Sequence, residues 1–239
     1  MGTVLCDSSF LRGPLHAKPV LELSDHFSDI YIDSGEGPPV FKSFIGGEWV
    51  TSSTGKVFPL KSPIDGEVIA YVQSCSEDDM LRAIKAAKSG QRGIRDIAAI
   101  ERIEIFRQAA QMMKARMDDF VRTLIVEAGK TREDATGEVR ATIDRMLLTM
   151  EETRKIFGEY IPGDWSDDTR GKVALVIHEP VGVVGAIGSF NYPLYIPAAK
   201  LIPALLAGNS VVVKPSSADP ISQLLLAKIL EECRIPPPV

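Results

Sequence analysis

The 239-residue chain carries 27 basic against 32 acidic residues, a formal charge of −5, and an apolar fraction of 45%. That length admits one large domain or two smaller ones. No basic cluster marks a nucleic-acid surface, no apolar run approaches the roughly 20 residues of a membrane span, and residues 1–20, with Asp7, Arg12, His16 and Pro19, form no signal-peptide core. Cys6, Cys75 and Cys233 fall at no motif spacing, so a reduced, cytoplasmic chain is expected.

Residues 1–43 read as an irregular arm. Gly13-Pro14, Lys18-Pro19 and GEGPP at 35–39 interrupt it, leaving room for one short helix over 21–28. FIGGEWV (44–50) predicts two short strands turned at Gly46-Gly47. VFPLKSPIDGEVIAYVQ (57–73) predicts a second hairpin turned at Asp65-Gly66, an antiparallel ribbon that serves as scaffold. Ser76 can cap the next helix, with Glu77, Asp78 and Asp79 in its first turn and Met80, Ile84 and Ala87 as its buried stripe. Ile103, Phe106, Ala110, Met113, Met117 and Val121 recur at helical spacing and predict one long helix, the methionines serving as core filler. Gly129 closes a helix and Thr131 opens another, with Ala135, Val139, Ile143, Met146, Met150 and Phe157 along one side. Helices with one apolar side each are layers for a sheet.

Gly158, Pro162 and Gly163 then break the helical pattern, and Trp165, Asp167 and Asp168 form a polar connection. KVALVIHEP (172–180) is an extended strand that pairs with another subunit or within its own sheet. His178 has no metal-ligating partners at the required spacing and reads as a structural or solvated residue. VGVVGAI (181–187) is a nearly wholly apolar strand, as a sheet covered on both faces requires. Asn191 follows it on a turn stiffened by Pro193. Its amide is a turn residue or a neutral donor to a developing oxyanion. PAAKLIPALLAGN (197–209) predicts a buried helix of small apolar residues, ended at Gly208-Asn209. SVVVKP (210–215) is the next parallel strand. Lys214 at its carboxyl end is a solvated cation or a donor to sugar hydroxyls or a phosphate. A last helix runs from Asp219 or Pro220 to Cys233. Polar groups at the carboxyl ends of buried parallel strands are where α/β proteins bind ligands. No GxGxxG and no GxxxxGK[ST] is present, so neither a standard dinucleotide turn nor a P-loop is supported.

From Phe44 to Pro237 the chain resembles the N-terminal half of an aldehyde dehydrogenase. FIGGEWV, SPIDGEVIA, EAGK (127–130), EPVGVVGAIGSFNYPL, AAKLIPALLAGNSVVVKPSS and CRIPPPV carry the likeness in order. GEVRATIDRM (137–146) and GEYIPGDWSDDT (158–169) add a narrower likeness to archaeal non-phosphorylating glyceraldehyde-3-phosphate dehydrogenases. The resemblance implies an α/β fold: a three-layer Rossmann-type cofactor domain, incomplete, with an oligomerisation arm. It implies an irregular arm at 1–43, strands and helices of the cofactor domain at 44–157, an oligomerisation segment at 158–180, and the first βαβ part at 181–239, the catalytic domain being absent.

The family reaction oxidises an aldehyde to an acid with NADP or NAD, through a cysteine thiohemiacetal and thioester. The resemblance makes Asn191 an oxyanion donor and Lys214 the holder of cofactor ribose. Phe190 becomes a wall residue beside the cofactor, standing where tryptophan is frequent, and Tyr192 lies near a substrate phosphate. Ser217 stands where NAD-preferring relatives place a glutamate, which favours acceptance of NADP. A homo-oligomer is implied, with no metal, nucleic acid or membrane. The nucleophilic cysteine and the base glutamate fall beyond Val239, and no cysteine here sits in a matching context, so this chain alone is expected to be inactive. In that case helix 197–207 should be its most exposed apolar surface. The alternatives are a non-catalytic protein that pairs with a full-length relative or with a separate C-terminal half, and an unrelated α/β protein.

Overall fold

A computed structural model describes residues 21–236, apart from 34, 36 and 157; Cys6, most of the expected N-terminal arm and Phe157 therefore lie outside the described residues. Among the described residues, part of the segment read as irregular forms regular elements. A 3₁₀ helix, Asp25–Ile30, leads into β1 (Tyr31–Ile32) and β2 (Val40–Phe41). Phe27, Ile30 and Phe41 are fully buried, and that burial draws the segment onto the body of the protein. The helix starts at Asp25 because Asp119 accepts hydrogen bonds from the Ser24 amide and hydroxyl, each at 2.9 Å.

The first expected hairpin is β3 (Ser43–Ile45) and β4 (Glu48–Val50). Gly46 and Gly47 both hold positive φ, 67° and 87°, as a tight two-residue turn demands. The second hairpin, β5 (Val57–Lys61) and β6 (Val68–Gln73), is more than a ribbon. β2 pairs parallel to β6, giving a four-stranded sheet in the order β1-β2-β6-β5.

Helix α1 (Glu77–Asp96) opens with a capping box: the Ser76 hydroxyl accepts from the Asp79 amide, and Asp79 accepts from the Ser76 amide. Such a cap contributes about 1 kcal/mol. Asp79 also accepts from Ser52 and Ser53, and these hydrogen bonds, that from the Ser76 amide foremost, hold its carboxyl down to about 2. The same anchor corrects the expected stripe. With Asp79 turned inward, the buried positions become Ala87, Gly90 and Ile94, while Met80 and Ile84 are exposed.

The long helix expected after it is two helices, α2 (Ala99–Ala115) and α3 (Met117–Ala128). The chain leaves helical geometry at Arg116, whose amide is shared between the Met112 and Met113 carbonyls. Gly129 ends α3 in the left-handed region, φ 67°, where a Cβ would also meet Pro63 at 2.9 Å. Helix α4 (Arg132–Thr153) is capped by Thr131 and buries Ala135, Val139, Ile143, Met146 and Met150 as its spacing predicts.

The segment after α4 forms its own antiparallel pair, β7 (Glu159–Pro162) and β8 (Val173–Val176), so Val173–Val176 of the expected strand pairs with upstream residues of the same chain. Every residue of β8 is exposed. β9 (Val183–Ile187) and β10 (Ser210–Lys214) then pair in parallel around α5 (Tyr195–Leu206), and α6 (Ile221–Glu232) follows. Two expectations fail here. β9 is not covered on both faces: Ala186 is buried, but Val183, Gly185 and Ile187 point outward. Helix α5 is not an exposed apolar surface, because Ala198, Ile202 and Leu206 are buried, and α5 packs on α4 and β10. Exposed apolar side chains lie instead on α1, α4, β8 and β9, among them Leu81, Leu148, Leu175 and Ile187. Helices packed on this strand pair make the protein an α/β fold whose parallel sheet is incomplete within the chain.

Candidate functional site

The parallel register aligns Ile187 with Lys214, so β9 and β10 end level with each other. The ladder closes one residue on, where the Gly188 amide donates to the Lys214 carbonyl at 2.9 Å. Gly188 is needed there for space: a Cβ would stand 2.6 Å from the Pro197 side chain. Absence of that carbon lets α5 start close against the strand ends. The loops that leave the two strands therefore carry their side chains to one place.

On the β9 side the turn is held by polar contacts. The Ser189 hydroxyl donates to Asn191 Oδ1 at 2.7 Å, so the amide oxygen is occupied and its NH₂ remains to donate. The Asn191 carbonyl accepts from Lys130 Nζ at 2.9 Å. The same ammonium pairs with Glu138 Oε2 at 2.8 Å and lies 4.1 Å from the centre of the Tyr192 ring. Glu138 Oε1 accepts from the Leu194 and Tyr195 amides, at 2.9 and 3.0 Å, satisfying two free donors at the start of α5. Gln223, from α6, donates to the Pro193 and Leu194 carbonyls. Asn191 and Tyr192 are exposed, and Phe190 is 70% exposed.

On the β10 side Lys214 is exposed, with Nζ donating to the Pro215 carbonyl at 3.0 Å. Lys214 and Ser217 line a cavity of about 650 Å³ between β10, α1 and α6, with apolar walls that include Leu201, Val213 and Leu224. Cys75 also faces it, its Sγ 3.2 Å from the Ser43 hydroxyl. Phe190, Asn191 and Tyr192 do not line this cavity. The structure thus brings Lys214 and Ser217 into one hollow and leaves the other three in the adjacent turn. Cys233 is buried, which pushes its thiol up to about 11, far from a thiolate at neutral pH.

Two acids beneath the site carry no local sequence signal. Glu127 is buried and accepts from the Ile221 and Ser222 amides at 2.8 and 2.9 Å, capping α6; burial pushes its carboxyl up to about 8. Asp219 is buried beside it and is pushed up to about 6, chiefly by burial. For Glu138 a signal is present. It falls three residues after Ala135 and four before Thr142, on the buried side of α4, and an acid at such a position needs a partner.

The aldehyde dehydrogenase family pattern matches residues 49–239. The 3-sulfolactaldehyde dehydrogenase of Priestia aryabhattai is 33% identical over 193 residues, 81% of this chain and 40% of the relative. The D-glyceraldehyde dehydrogenase (NADP(+)) of Thermoplasma acidophilum is 34% identical over 195 residues, 82% of this chain and 39% of the relative. The crystal structure of NADP-dependent glyceraldehyde-3-phosphate dehydrogenase from Bacillus halodurans C-125 complexed with NADP superposes with a TM-score of 0.77 at 32% identity, covering 82% of this chain and 41% of that one. The chain spans about 40% of the length of such relatives. It belongs to the aldehyde dehydrogenase family.

Proposed function

We propose that this chain forms the cofactor-side part of an enzyme that oxidises an aldehyde to a carboxylic acid with NADP or NAD. The observation that carries this reading is the level ending of β9 and β10, which sets a free amide NH₂ and a lysine ammonium at neighbouring strand ends. Asn191 would donate to the oxygen that becomes negative when a nucleophile adds to the aldehyde. The nucleophile and base would come from sequence that follows the matched segment in full-length relatives.

The cavity beside β10 fits a dinucleotide cofactor in kind. Its volume lies within the range of small-ligand sites, its walls are mainly apolar, and Lys214 offers donors beyond the one now on Pro215. Lys214 would hold ribose hydroxyls, and Phe190 would flank the cofactor. The cofactor supplies a hydride acceptor when bound. Ser217 faces the same cavity with a small neutral hydroxyl, which tolerates a 2′-phosphate where a carboxylate would repel it. NADP use by the Thermoplasma and Bacillus proteins supports that choice. The substrate we infer is a three-carbon aldehyde such as glyceraldehyde-3-phosphate, with Tyr192 near its anionic end. The three relatives above are named for three-carbon aldehydes, and other relatives of similar identity are named for four- and five-carbon semialdehydes.

The test is NADPH and NADH formation by the full-length enzyme with such aldehydes, repeated with Ser217→Glu. The variant should move cofactor preference toward NAD by roughly tenfold, or about 1.4 kcal/mol. An unchanged ratio would remove Ser217 from the cofactor site.

The β7–β8 pair is proposed as the subunit contact. Tyr160 is 65% exposed and Leu175 69%, and unprotected strand edges with apolar faces call for a covering surface. A second copy of the enzyme would supply it. Leu175→Lys should then lower the molar mass measured by light scattering at a fixed concentration; an unchanged mass would place the interface elsewhere.

A further inference from the structure

We propose that Lys130 and Ser189 are positioning residues for Asn191, with Glu138 as the anchor that fixes Lys130. This rests on the reading of Asn191 as the oxyanion donor. The Glu138 side chain is 0% exposed and that of Lys130 13%, so the pair sits in a poorly solvated place where its geometry is well defined. A buried carboxylate with one partner only would be costly, and Glu138 has three: Lys130 on Oε2, and the Leu194 and Tyr195 amides on Oε1. Glu138 belongs to α4, which is braced along its length by the core. It is therefore a fixed point from which the start of α5 hangs.

Lys130 extends that hold to the turn. An ammonium has three donors. One is directed to the Asn191 carbonyl, while the charge pairs with Glu138 at 2.8 Å and sits over the Tyr192 ring. Residues 191, 192, 194 and 195 are thus tied to a single buried ion pair, with Pro193 stiffening the middle. Backbone placement does not by itself orient an amide, since Asn can present oxygen or NH₂ by a half-turn of χ2. Ser189 removes that ambiguity by donating to Oδ1 at 2.7 Å. Oxygen is held by Ser189 and the NH₂ is left to donate, the state in which the amide can serve an anion.

Two kinds of measurement test this. In the 239-residue chain, Lys130→Met should quicken amide hydrogen exchange at Leu194 and Tyr195 by about tenfold or more, while Leu205 and Leu206 in α5 keep their protection. Lys130→Arg should recover most of the effect. Unchanged exchange at 194–195, or equal loss through all of α5, overturns the proposal. Ser189→Ala leaves the ion pair alone and carries little risk to folding. It should leave exchange at 194–195 as it is but broaden or shift the Asn191 side-chain NH₂ resonances; resonances that do not move overturn the role of Ser189.

In the full-length enzyme, Lys130→Met should lower kcat about tenfold with cofactor KM within about twofold, as misplacement of a reacting group does. Combined with Asn191→Ala, it should add nothing further. Additive losses, or a kcat left intact by Lys130→Met while Asn191→Ala lowers it, overturn the proposal. If Asn191→Ala itself leaves kcat unchanged, the oxyanion reading fails, and the exchange data still decide whether the turn is held from Lys130.

Discussion

Asn191→Ala in the full-length enzyme is expected to lower kcat by roughly 100- to 1000-fold, about 3 kcal/mol, with little change in cofactor affinity. Asn191 is exposed, and its side chain contributes one visible internal bond, the one accepted from Ser189. Truncation should therefore change folding stability by less than about 0.5 kcal/mol, as is usual for surface positions. A donor aimed at a charge that exists only during reaction affects the transition state and leaves the bound ground state nearly as it was. The cofactor contacts proposed here, Lys214 and Ser217, lie in the neighbouring cavity and not in this turn. Asn191→Asp sharpens the test, because it replaces the NH₂ with an acceptor of the same size and should be at least as damaging. The deciding data are kcat and cofactor KM for the two variants. Loss of cofactor affinity with kcat preserved would make Asn191 a turn residue and nothing more.

Local signals in the sequence were legible wherever one residue type answers one backbone need. Gly46-Gly47, Gly129 and Gly208 end or turn their elements at positive φ, and Ser76 and Thr131 cap the helices that follow them. The two strand-end residues were legible for a related reason: the apolar runs 181–187 and 211–213, each leading to a polar side chain, read directly as strand and loop. What depended on distant partners was not legible. The rotation of α1 is set by hydrogen bonds from Ser52 and Ser53 to Asp79, across more than twenty residues. The break at Arg116 is invisible to periodicity, since a one-residue interruption keeps most of the stripe in phase. β7 was hidden because, among the described residues, it pairs with β8 alone and every residue of β8 is exposed, so no burial pattern marks it. The hold on Asn191 comes from a lysine 61 residues earlier in the chain. Sequence offers a residue's chemistry freely but its partner only when the two are near.

The two buried acids under α6 should make the folded chain lose stability as pH rises through neutrality. Glu127 is pushed from 4.5 up to about 8, mainly because burial disfavours its charged form, with the Ile221 and Ser222 amides opposing. Asp219 is pushed from 3.8 up to about 6, again chiefly by burial. The folded chain therefore binds these protons more tightly than the unfolded chain does. Their stabilisation is fully present below the unfolded values, and it is lost as pH climbs through about 6 for Asp219 and about 8 for Glu127. Asp79 works in the opposite sense, but in another window: its carboxyl is held down to about 2, so its stabilisation is lost only as pH falls well below 4. Between pH 5 and 8 the expected loss is on the order of a few kcal/mol, since each tenfold difference in proton affinity between folded and unfolded chain corresponds to about 1.4 kcal/mol. Urea midpoints across that range measure it. Glu127→Gln cannot ionise and should flatten the slope; it also keeps one acceptor for the α6 amides while setting an NH₂ against the other. That mismatch costs about 1–3 kcal/mol at every pH and shifts the curve without tilting it. Comparing slopes instead of midpoints cancels this cost and the titration of groups common to both chains. A Glu127→Gln curve as steep as the parent's would mean that Glu127 stays ionised on the α6 amides throughout, its charge held by the helix end.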